Sequence, residues 1–87
     1  MSTYCYVYVL RSIKDSQFYV GLTRDLRVRL QLHNDGKVPS TKRRVPLELI
    51  YWEGCLNLSD AARREKYLKT AWGKRYIKGR LRQYLTG

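Results

Sequence analysis

Residues 4 to 22 read YCYVYVLRSIKDSQFYVGL, and their alternation decides the fold. Tyr4, Tyr6 and Tyr8 take every second place, with Cys5, Val7 and Val9 between them. Period two is the mark of a strand, because successive side chains point to opposite faces of a sheet. Phe18, Val20 and Leu22 repeat the pattern against Tyr19 and Gly21. The stretch therefore predicts two strands, residues 4–11 and 17–23, joined by a polar turn around Lys14 and Asp15. Their apolar faces coincide only if paired positions sum to an odd number, since a one-residue slip turns a strand over. A register with Arg11 opposite Ser16 meets that condition and leaves a loop from Ser12 to Asp15. It also sets Tyr8 opposite Tyr19 and Tyr6 opposite Gly21. Tyrosine is a good strand former, so packing alone accounts for much of the row. Two phenols converging on one face is a further matter, which depends on the rest of the chain.

Downstream, Asp25 to Asn34 reads as a helix closed by Asp35 and Gly36. At about 100° per residue, Leu26 and Leu30 fall on one flank and Val28 and Leu32 on another. Arg29 and His33 lie in the arc between these flanks, facing the packing side, while Arg27, Gln31 and Asn34 face water. KVPSTKRRVP, residues 37–46, is basic and broken by two prolines, and predicts an exposed loop. LELIYWEGC follows as a third strand from Leu47 to about Glu53. Ser59 and Asp60 then cap a helix running to about Ala71. Its stripe is Ala61, Glu65, Leu68 and Trp72. After Gly73, residues 74–85 give a last helix with Ile77, Leu81 and Leu85 on one side. The expectation is one α+β domain over residues 1–87, without repeat or linker.

Composition narrows the partners. Eighteen Lys and Arg against seven Asp and Glu give a net charge of +11, which points to a polyanion. Hydrophobic residues make up 44% of the chain, enough for a modest core and against disorder. No stretch approaches the roughly 20 apolar residues of a membrane span. The amino terminus lacks the basic-then-apolar pattern of a secretion signal, so a cytoplasmic location is expected. Cys5 and Cys55 have no metal-like spacing and read as ordinary thiols, with one disulfide between them left open.

Two features break the packing pattern. Glu65 is the only acid from residue 61 to the end, among nine Lys and Arg, and it stands on an apolar stripe. An ion pair with Lys69 at i+4 would explain an exposed glutamate but not one facing the core. Burying a carboxylate is costly unless it is paired or bound to metal. Arg29 and His33, one turn apart and turned inward, form the second feature, although Asp25 could serve as a structural partner for Arg29. Lys42, Arg43 and Arg44 suit a loop that contacts phosphates. Two phenols, an inward Arg–His pair, a lone inward glutamate and a cationic surface fit phosphodiester hydrolysis. That reaction needs a base for water, a cation for the developing charge and a metal held by carboxylate and phosphate.

These residues resemble the GIY-YIG endonuclease superfamily, in its small stand-alone bacterial form. The two halves of the motif correspond to Tyr6-Val7-Tyr8 and Tyr19-Val20-Gly21, and AARREKYLK resembles the metal-site helix of those proteins. The resemblance covers nearly the whole chain. It implies a three-stranded antiparallel sheet flanked by about three helices, with the site on one sheet face. It further implies that Tyr8 and Tyr19 are the signature tyrosines, Arg29 the family arginine, His33 the histidine several members carry, and Glu65 the single metal-binding carboxylate. Tyr6 stands where the motif has its first glycine, and a late asparagine seen in some relatives has no counterpart after Glu65.

The expected chemistry is in-line attack of water on a nucleic-acid phosphodiester, DNA in preference to RNA, with Mg²⁺, or Mn²⁺ in its place, held by Glu65. A role in DNA repair or recombination is the accompanying expectation. Tyrosine ionises near pH 10, so forming the phenolate at pH 7 costs about 4 kcal/mol without help. His33, with an ordinary pKa of about 6.5, is expected to accept the proton that Tyr8 passes on. The competing expectation is a nucleic-acid-binding module that keeps the fold without the activity.

Overall fold

The computed structural model describes residues 3–87. The elements run β1 (Cys5–Ser12), β2 (Phe18–Thr23), α1 (Leu26–Asn34), β3 (Leu47–Cys55), α2 (Leu58–Leu68), α3 (Ala71–Arg80) and α4 (Arg82–Thr86). The strands form one antiparallel sheet in the order β2-β1-β3. β1 is central, and the alternation noted above accounts for that: both its faces are covered. Cys5, Val7 and Val9 meet Val20, Ala61, Leu68 and Ile77 on the side of α2 and α3. Tyr8 and Leu10 pack with Leu47, Tyr19, Leu26 and Leu30 on the side of α1.

The register of the first hairpin differs from the expected one by two residues. Tyr8 faces Gly21, Leu10 faces Tyr19 and Arg11 faces Phe18. The turn is longer because Ser12 organises it. Its backbone N–H donates to the Gln17 carbonyl at 3.0 Å, and its hydroxyl oxygen accepts from the N–H groups of Lys14 and Asp15. Ser16 completes the reversal in the left-handed region, at φ 62°. A slip of two preserves which side chains share a face, so the tyrosines still converge. Tyr8 and Tyr19 are diagonal rather than directly opposed.

β3 carries a bulge. Val9 pairs with Tyr51 and Leu10 with Leu49, leaving Ile50 as the extra residue. Farther along, Cys5 and Cys55 face each other across β1 and β3, both as free thiols.

α1 matches its expected span. The Asp25 carboxylate caps it by accepting from the Val28 N–H. At the other end Gly36, at φ 74°, donates to the His33 carbonyl while Lys37 donates to that of Leu32. That pair of bonds is a Schellman closure. Asn34, expected to face water, instead clamps β3: its amide donates to the Leu47 carbonyl and accepts from the Leu47 N–H. Val28, expected to pack, is exposed.

The carboxy-terminal helices break earlier than expected. Asn57 caps α2, and the chain turns at Lys69–Thr70, where the Thr70 hydroxyl accepts from the Gly73 N–H to start α3. Gly73 lies so close to the Tyr67 carbonyl and Leu68 that a Cβ there would collide. Trp72 consequently leaves the α2 stripe and is 68% exposed. Ala61 and Leu68 are buried as the stripe requires.

Candidate active site

Tyr8 is held by three elements. β1 delivers it to the α1 face, β2 places Gly21 beneath it, and α1 supplies Arg29 and His33. The Tyr8 hydroxyl lies 2.8 Å from His33 Nε2, and Arg29 Nε donates to the same oxygen at 3.3 Å. Behind the imidazole, His33 Nδ1 is 2.7 Å from the Thr41 hydroxyl. Tyr8, His33 and Thr41 are all buried, yet among the described residues no buried side-chain nitrogen or oxygen lacks a partner. The sites form a line: guanidinium, phenol, imidazole, threonine hydroxyl.

Tyr19 stands beside this line. Its ring is 6.4 Å from that of Tyr8 and 5.1 Å from that of His33, and its hydroxyl accepts from Ser40 at 3.4 Å. Because β2 is an edge strand, the tyrosine face meets the α2 side at its margin. A cleft of about 250 Å³ there is lined by Tyr19, Leu68 and Lys69 among others. Glu65 occupies α2 one turn before Lys69; its side chain is 23% exposed and pairs with Lys69 Nζ at 3.4 Å. Its charge reaches Tyr8, where it adds to the forces that keep the phenol protonated.

Electrostatics separate the roles of these groups. Burial raises the Tyr8 pKa above its usual value, and the Arg29 hydrogen bond offsets part of that rise. Burial first, and the Arg29 charge second, push His33 down to about 4. His33 is therefore neutral at pH 7, with one ring nitrogen donating and the other accepting. This corrects the expectation of an imidazole that takes a proton unaided near its ordinary pKa. The hydrogen bond to Tyr8 keeps Arg29 firmly cationic.

The basic loop is less open than its composition suggests. Val38 and Thr41 are buried within it. Arg44 is tied to the hairpin, with Nε on the Asp15 carboxylate at 3.1 Å and the Phe18 carbonyl beyond. Lys42 and Arg43 are exposed, next to the Ser40 and Thr41 that touch Tyr19 and His33. Thr41 was not singled out from sequence. A threonine in a polar, proline-broken loop carries no signal that it will bury its hydroxyl against a histidine.

Among the described residues no group of three or more His, Cys, Asp and Glu side chains converges. No described helix is long and apolar enough to cross a membrane. Phenols, guanidinium and imidazole gather on one sheet face of a cationic α+β domain, and the domain it matches is of the nuclease type. The model of the GIY-YIG catalytic domain matches residues 4–78, and the chain belongs to the GIY-YIG family. It is similar to a UPF0213 protein of Streptococcus pneumoniae (serotype 4), with 42% identity over 65 residues, 74% of this chain and 65% of that protein. A UPF0213 protein of Staphylococcus haemolyticus is 41% identical over 66 residues, 75% of this chain and 79% of its own. UPF0213 protein YazA of Bacillus subtilis is 39% identical over 70 residues, covering 79% and 71% respectively. The matched part spans just under two thirds of the S. pneumoniae relative. No solved structure matches.

Proposed function

We propose that this chain is a metal-dependent endonuclease that hydrolyses nucleic-acid phosphodiester bonds, DNA in preference to RNA. The observation that carries this is the Tyr8 oxygen held between Arg29 Nε and His33 Nε2, on the face that Tyr19 shares. A buried phenol needs a partner for its hydroxyl, but a permanent cation and an imidazole on the same oxygen go beyond that need.

Glu65 would hold the cation. It offers one hard, partly open carboxylate, and among the described residues no further cluster of ligands surrounds it. Such a donor set suits Mg²⁺, or Mn²⁺ in its place, which keeps most of its water and takes phosphate oxygens. When bound, the cation supplies neutralising charge at the phosphate. The protein's own groups do the rest. Arg29 presents a planar, permanent charge to the non-bridging oxygens. Tyr19 and its Ser40 partner orient the phosphate, and Lys42 and Arg43 contact the flanking backbone. Water lying against Tyr8 gives its proton to the phenol oxygen as the phenol's own proton moves to His33 Nε2. The hydroxide bonds to phosphorus as the bond from phosphorus to the leaving sugar oxygen breaks, and that oxygen takes a proton from solvent. The anionic phosphate cancels part of the Arg29 charge, which is one of the two causes holding the His33 pKa down. Substrate thus makes the imidazole a better acceptor than it is in the free protein.

Supercoiled plasmid incubated with the protein and Mg²⁺ tests this. Nicking is expected, abolished by EDTA and in Glu65→Gln, with plasmid binding by Glu65→Gln retained. Binding without nicking by the wild-type chain would overturn the proposal in favour of a non-catalytic module.

A further inference from the structure

The tyrosine face does not end at Tyr8. Tyr6 and Tyr4 continue it along β1, and Trp52, cross-strand from Tyr8 on β3, flanks it. The Tyr6 and Trp52 rings meet edge to face at 5.5 Å, and the Tyr4 and Tyr6 rings lie 6.3 Å apart. Trp52 is 52% exposed. Next to it opens a cleft of about 340 Å³, lined by Tyr6, Arg24, Asp25, Leu26 and Trp52. The Asp25 carboxylate in the lining is engaged in capping α1 through the Val28 N–H, and Arg24 is the one cation of this cleft's lining.

A large indole left half in water beside the site calls for an occupant. Strand propensity explains an aromatic residue at position 52, but a rigid aromatic surface continuous with Tyr8 is more than propensity requires. A nucleic-acid strand fits on two counts. The chain carries +11 charge, which favours a polyanionic partner. Tyr6 and Tyr8 are two residues apart on one strand, about 7 Å, so a strand whose phosphate sits at Tyr8 carries its neighbouring base over Tyr6 and Trp52. Aromatic rings stack any base, provided the base is not already paired within a duplex.

We propose that Trp52, braced by Tyr6 and Tyr4, is a stacking platform for an unpaired base next to the scissile phosphate, with Arg24 contacting the adjoining backbone. The substrate is then single-stranded or frayed at the point of cleavage. This rests on the assignment of the Tyr8 site to phosphodiester chemistry.

Binding in the absence of added metal tests it, using Trp72→Phe so that Trp52 is the sole indole. A short oligothymidylate is expected to quench Trp52 fluorescence strongly, and a blunt duplex of equal length weakly. Read by the anisotropy of a dye-labelled probe, Trp52→Ala is expected to lose about tenfold or more in affinity for the oligothymidylate, with duplex affinity nearly unchanged. The salt dependence should be unaltered, because no phosphate contact is removed. Trp52→Phe, which keeps a ring, should restore much of the loss. Unchanged oligothymidylate affinity in Trp52→Ala, or equal losses on both probes, would overturn the platform alone. Failure of the wild-type chain to bind either probe would overturn it together with the nuclease proposal.

Discussion

The Tyr8 ring occupies the space directly over Gly21, where a Cβ would collide with the phenol oxygen and its ring carbon. The glycine that closes Tyr19-Val20-Gly21 is thus required by the tyrosine of the partner strand, and not by its own backbone conformation. Gly21→Ala is expected to fold, with a loss of about 1–3 kcal/mol from overpacking. Displacing the phenol from Arg29 and His33 should lower cleavage about 100-fold, the scale of a 1 Å misplacement. Thermal melting and plasmid nicking on the same preparation check both.

Arg29 contributes geometry as well as charge. Arg29→Lys keeps the cation but removes the Nε–H that reaches Tyr8. A nicking rate lower by roughly 100-fold is expected, as for removal of one preorganised donor. Nucleic-acid affinity should change little. A rate close to wild type would assign Arg29 a purely electrostatic part.

His33 links folding to acidity. Its pKa is about 4 in the folded protein against 6.5 in its absence, so the unfolded chain binds the proton first. This contribution to stability is complete above pH 6.5 and declines as pH falls towards 4, by about 3 kcal/mol at the limit. Urea unfolding of wild type and His33→Gln across pH 7 to 4 is the measurement. The difference between the two stabilities should shrink as pH falls through that window.

Thr41→Val replaces a hydroxyl with a methyl of similar shape and leaves His33 Nδ1 buried without a partner. A loss of about 1–3 kcal/mol is expected, readable as a lower urea midpoint with an unchanged slope. Because the threonine also holds the imidazole in line with Tyr8, activity should fall by more than the loss of folded protein.

Much of this was legible from residue order. Period two in residues 4 to 22 put Cys5, Val7 and Val9 on the face of Phe18, Val20 and Leu22, and Tyr8 on that of Tyr19, and that assignment survived an error of two in register. The register itself depended on Ser12 folding its hydroxyl back onto Lys14 and Asp15, a local bond that competes with the ladder and leaves no periodic trace. Arg29 and His33 were readable because helix geometry fixes their direction once the apolar flanks are known. The break between α2 and α3 was not, since Trp72 falls on the stripe at helical spacing and only the Thr70 cap interrupts it. Thr41 and Asn34 act on groups distant in sequence, Thr41 on His33 and Asn34 on Leu47, and nothing local announces such partners.

The extra residue at Ile50 changes the parity of β3 halfway along. Counting by twos from Leu47 would send the indole to the helical side, among the aliphatic groups of α2. Because one position is skipped, an odd-numbered pair of leucines and an even-numbered tryptophan come to look the same way. The outer strand is in effect two short strands spliced out of phase, one half filling the interior beside α1 and the other furnishing the exposed surface past Tyr8. A ladder that kept Ile50 in step would turn that surface inside out, whereas deleting Ile50 would straighten the strand and leave both halves on the sides they now occupy.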